Sequence, residues 1–60
     1  MTNTTHQDAI NLIKEKAGKE GLEQEVLESF EDAVSFLKKQ GLPIDYRREA
    51  FYALWDWDIA

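Results

Sequence analysis

The sequence predicts an all-α fold: a small three-helix bundle, up-down-up, with helices over about 5–17, 22–40 and 45–58. Three observations lead there. Apolar residues recur at i, i+3, i+4 and i+7 in three separate stretches. Each stretch is bracketed by residues that start or stop helices. The connections between them are short, which makes successive helices antiparallel neighbours.

The first helix is expected to start at Thr5, whose side chain can cap the backbone while Asp8 reaches back as a short-armed capping box. Ala9, Ile10, Ile13 and Ala17 form its apolar stripe, and Leu12 widens it. Gly18 is expected to end it in the left-handed conformation that glycine adopts cheaply. For the second helix, Gly21 is the expected N-cap, with Gln24 at the third helical position. Val26, Leu27, Phe30, Ala33, Val34 and Leu37 then keep the helical period. "KKQGLP" ends it: Gly41 supplies the left-handed residue, Leu42 the apolar follower, and Pro43 forbids continuation.

Asp45 is the natural N-cap of the third helix. Turning 100° per residue from Tyr46 gathers Tyr46, Ala50, Ala53, Leu54 and Trp57 on one face, with Phe51 at its edge. The expected core is therefore Ile10 and Ile13 from the first helix and Val26, Leu27, Phe30, Val34 and Leu37 from the second. Tyr46, Ala50, Leu54 and Trp57 complete it from the third. The closing "LWDWDI" also alternates like a strand, but no second strand is present to pair with it, and a helix satisfies more backbone.

Sixty residues make one domain, with residues 1–4 expected to be disordered. A fold of this size is marginal, because it buries only about 60% of the surface its unfolded chain exposes. With no cysteine, disulfides and thiolate metal sites are excluded. No apolar run approaches the roughly 20 residues of a membrane span, and "MTNTTHQDA" lacks the basic and apolar regions of a secretory leader. A cytoplasmic protein with no membrane partner is expected. Twelve acids against seven bases give a net charge of −5, which repels phosphate backbones, so no nucleic-acid partner is expected.

Catalytic chemistry finds no footing. The single histidine, His6, is assigned to a loose N-terminus, and Ser29 and Ser35 have no base at hand. The glutamates between Glu23 and Glu31 are spread round a helix face instead of converging as metal ligands. No phosphate-binding or calcium-binding motif occurs. No catalytic residue, metal site, cofactor or small-molecule substrate is expected.

What remains is a second apolar face. Arg48, Tyr52, Trp55 and Ile59 fall opposite the core side of the third helix, at i, i+4, i+7 and i+11. Tyr52, Trp55 and Ile59 could together expose roughly 400 Å², the size at which an apolar patch becomes informative. The third helix is also charged against its dipole, with Arg47 and Arg48 in its first turn and Asp56 and Asp58 near its end. Two copies packed through antiparallel third helices would bring Arg48 of one towards Asp58, or less directly Asp56, of the other. The expected function is that of a small acidic protein-binding module of the inhibitor, immunity or adaptor type. Its contact residues are Arg48, Tyr52, Trp55, Ile59 and Asp58, and its partner is another protein or a second copy of itself. An acidic DNA mimic, which would inhibit a nucleic-acid-binding protein, is the alternative reading. A helix-turn-helix reader built on Tyr46, Arg47 and Arg48 is less well supported, because the rest of that helix carries no basic stripe.

Leu54 to Asp58, "LWDWD", resembles the tryptophan-plus-acid short motifs that some cargo adaptors, such as kinesin light chain, read in extended peptides. The resemblance spans five residues, two of which have core roles here, and no site residue is carried over from it.

Overall fold

Each helix starts on a residue that satisfies its first amides or continues the turn before it. The computed structural model describes residues 4–59, and the helices are α1 (His6–Gly18), α2 (Glu23–Gln40) and α3 (Tyr46–Asp56). The expected disorder of residues 1–4 falls outside the described residues for 1–3, and Thr4 is half-buried. Thr5 builds the expected capping box: Asp8 N–H donates to Thr5 Oγ1 at 3.1 Å, and Thr5 N–H donates to Asp8 Oδ2 at 3.2 Å. Asp45 caps α3 as expected, accepting from the Arg48 N–H at 3.1 Å.

All three helices end in one way. Gly21, Gly41 and Asp58 take the left-handed conformation, at φ 71°, 68° and 57°. The next residue in each case, Leu22, Leu42 or Ile59, donates its N–H five residues back, to the carbonyl of Ala17, Leu37 or Leu54. The left-handed residue itself donates to Gly18, Lys38 or Trp55. This pair of bonds is the Schellman closure, which satisfies carbonyls the helix would leave bare.

The closure corrects two expectations in the first connection. Gly18 is the last residue of α1 but does not take the left-handed conformation, which falls to Gly21 three residues on. An apolar residue frequently follows the left-handed position of this motif, and Lys19 follows Gly18 whereas Leu22 follows Gly21. Gly21 therefore does not cap α2. Leu22 holds that place without a side-chain bond. Its N–H closes α1, and its C=O accepts from the Val26 N–H as α2 begins.

The same motif shortens the third helix. It stops at Asp56, not Asp58, because Asp58 reverses the chain and folds Ile59 back onto the turn it has left. Ile59 is 7% exposed and belongs to the core cluster with Leu54. This overturns its assignment to the outer face, which assumed that the helix continued. Trp57 changes place with it: expected in the core, it is 40% exposed at the helix end, and Ile59 joins the core instead.

Each helix packs against the other two. His6, at the start of α1, touches Tyr46, at the start of α3. Lys16 and Lys19, at the end of α1, share a groove with Asp58, beyond the end of α3. The first and third helices thus run the same way. Phe30, Ile13, Leu54 and Val26 are the largest fully buried side chains, and Ala9, Ala17 and Ala50 are buried among them. Val34, Ala53 and Ile59 complete the buried set, while Ile10, Leu27, Tyr46 and Phe51 pack against it half-buried. Leu37, expected in the core, is half-buried and stands outside that cluster.

Two stability predictions follow from the chain end. Replacing Asp58 with glycine removes the steric cost of a left-handed L-residue and a carboxylate from a helix C-terminus. Some of this gain is offset by the greater freedom of glycine in the unfolded chain. The net stabilisation should be about 1 kcal/mol, which in a domain this small raises the melting temperature by about 4–8 °C. Ile59→Ala should do the reverse, costing about 2 kcal/mol as a truncation at the edge of the core. Thermal melts followed by circular dichroism check both. An unchanged melting temperature for Ile59→Ala would put that side chain back on the surface.

Candidate protein-binding face on the third helix

The outer side of α3 is built from two rows of side chains one helical turn apart. Arg48 and Tyr52 make one, and Arg47, Phe51 and Trp55 the other. Trp55 is held by both rows. Its ring stacks on Phe51 at 5.9 Å between centroids and meets Tyr52 edge-on at 5.8 Å. Phe51 is half-buried against the core and so anchors the aromatic group from below. Trp55 and Tyr52 nevertheless remain 57% and 50% exposed. With Asp45, these five residues line a shallow groove of about 370 Å³.

The arginines find their partners on their own helix. The Arg47 guanidinium carbon sits 5.7 Å from the centre of the Phe51 ring, a cation–π contact. Arg48 Nε lies 3.9 Å from Glu49 Oε2, with the Arg48 side chain 58% exposed. Neither arginine forms an ion pair with α2 among the described residues. The contact is long and its Arg48 side is open to solvent, although the Glu49 side chain is only 13% exposed, so the pair contributes little.

Three of the five expected contact residues therefore share this face: Arg48, Tyr52 and Trp55. Ile59 is in the core. Asp58 lies at the far end of the molecule, where it shares a second groove with Lys16, Lys19, Glu20 and Ile59. Both departures have one cause, the chain reversal at Asp58. The reversal also separates "LWDWD" from the extended peptides it resembles, since Leu54, Trp55 and Asp56 are helical and Leu54 is fully buried.

Sequence reasoning missed Arg47 and Phe51 as members of the face. Their i, i+4 spacing was the available signal, since it places a cation over a ring on a helix. It also misplaced His6. That residue is the first of α1, with its ring stacked on Phe30 at 5.6 Å and edge-on to Tyr46 at 5.5 Å. Its Nε2–H donates to Glu31 Oε1 at 2.6 Å. One side chain thus ties together α1, α2 and α3, and nothing local in the sequence announces a contact across 25 residues. Phe36, 59% exposed on α2, is a further apolar side chain outside the expected stripe.

Neither a family model, nor a curated protein, nor a solved structure matches this chain. The face must be read from its own chemistry.

The exposure of Trp55 sets its expected contribution to stability. Trp55→Ala removes two ring contacts, each worth about 0.5–1.5 kcal/mol, from a side chain that is more than half exposed, so it should cost about 1–3 kcal/mol. A core tryptophan would cost about 3–5 kcal/mol. Urea unfolding of the two proteins side by side separates these outcomes, and loss of the cooperative transition would place Trp55 in the core.

Proposed function

We propose that this chain is a small acidic, non-catalytic protein-binding module that engages its partner through the outer face of α3. The observation that carries this reading is the exposure of Trp55 and Tyr52, two large rings packed on each other outside the core. Tryptophan, tyrosine and arginine are the residues in which binding energy concentrates at protein interfaces. Here Arg48, Tyr52 and Trp55 stand together on one rigid helix, with Arg47 and Phe51 beside them. Their rotamers are already restricted by mutual packing, so less entropy is lost when a partner covers them. Inhibitor, immunity and adaptor proteins are the kinds of module this would suit.

An acidic DNA mimic would act instead through its carboxylates and would be indifferent to Trp55. The two readings separate in one experiment. Immobilised wild type and Trp55→Ala are exposed to the same extract of the source cell. A protein retained by the wild type and lost from the variant, with both chains equally helical, is the expected result. Retention that ignores Trp55 and weakens steeply with salt would favour the mimic.

A further inference from the structure

We infer that the occupant of the α3 face is a second copy of this chain, packed through an antiparallel pair of third helices. This deepens the preceding reading and rests on it. The argument is that the face complements itself. Arg48 and Trp55 are seven residues apart, so they lie within about 20° of each other around the helix and about 10 Å apart along it. Phe51 and Tyr52 fall midway between them. A two-fold axis passing between residues 51 and 52 maps Arg48 of one copy onto Trp55 of the other, and the reverse. Each guanidinium then meets an exposed indole, the ring that binds cations best. Asp56, exposed one residue beyond Trp55, stands beside the same arginine. The Tyr52 rings meet near the axis.

The groups that would pair across the axis are the ones left poorly matched within one chain. Among the described residues Arg48 has a single ion-pair contact, at 3.9 Å on its own helix, and Trp55 keeps more than half its surface. A heterologous partner would need its own basic and acidic groups in register; a second copy supplies them by symmetry. The correction at the chain end favours this arrangement. With Ile59 in the core and Asp58 at the far end, the strip is bounded by Arg48 and Asp56, whose charges are opposite. The helix has 11 residues, about 16 Å, so the interface is at the small end of specific contacts and the dimer should be weak.

Sedimentation equilibrium of the full chain from about 1 μM to about 1 mM tests this. The expected result is a rise from 7.0 kDa towards twice that mass. Trp55→Ala, Arg48→Glu and Asp56→Arg should each weaken association by at least about tenfold while remaining helical by circular dichroism. The double variant Arg48→Glu/Asp56→Arg should recover part of the loss, because the ion pair is restored with its sign reversed. A wild type that keeps the monomer mass throughout overturns the inference. Trp55-dependent capture of a different protein would then still uphold the binding face itself. A dimer that ignores Arg48→Glu, or a double variant weaker than both single ones, overturns the antiparallel register.

Discussion

The constraint on which the rest depends is volume. The molecule's principal extents are 32 × 27 × 15 Å, and with all three helices packed on one another the smallest spans no more than two layers of helix. Such a body has room for one large buried ring, and Phe30 takes it. Around it the helices approach closely because alanines occupy the contact positions, at Ala9 and Ala17 on α1 and Ala50 and Ala53 on α3. Close approach leaves no space for an indole. Two tryptophans in a chain of 60 residues must then find places at the surface or beside other rings. The aromatic face of α3 is the counterpart of a core made of small side chains.

Volume also explains what the chain end does. A bundle this thin exposes its core at the ends of the helices, where no further turn covers it. The reversal at Asp58 brings Ile59 into the core beside Leu54, closing that end with a side chain that fits. A helix continued through Asp58 would have aimed Ile59 outward. The left-handed strain at Asp58 is offset by this burial, since a fully buried isoleucine contributes about 1.5–3 kcal/mol.

Much of the fold was legible because helix punctuation is local. The Thr5 and Asp8 pair, the Asp45 cap and the Gly41-Leu42-Pro43 stop each act within a few residues, and each holds in the structure. The errors at Gly18 and Gly21 came from weighing glycine without its follower. "GL" occurs at 21–22 and again at 41–42, and both are closures. "DI" at 58–59 is the same signal with a residue that tolerates the left-handed region less well. Trp55 and Tyr52 were legible as an outer face because helix geometry alone separates them from Ala50, Ala53 and Leu54. Ile59 was not, because its position depends on a chain reversal. His6 was not either, since its partners come from two other helices and only the assembled bundle brings them together.

The charge order of α3 is best understood through the same geometry. Arginines in a first turn and aspartates at a helix end oppose the backbone dipole, each at a cost of about 0.3–1 kcal/mol where exposed. Local contacts offset part of this: Arg47 lies over Phe51, and Lys16 and Lys19 line the groove shared with Asp58. Arg48 and Asp56 receive less. Arg48 has one long contact with Glu49, and Asp56 has no ion-pair partner within 4.0 Å among the described residues. These two bound the aromatic strip at opposite ends, with opposite signs. Helix α2 shows that favourable order is available to this chain, with Glu23 and Glu25 at its start and Lys38 and Lys39 at its end. The reversed order on α3 therefore coincides with the helix that carries the exposed rings. A polarity that is unfavourable within one helix becomes favourable between two that run in opposite directions, because each start then lies against the other's end.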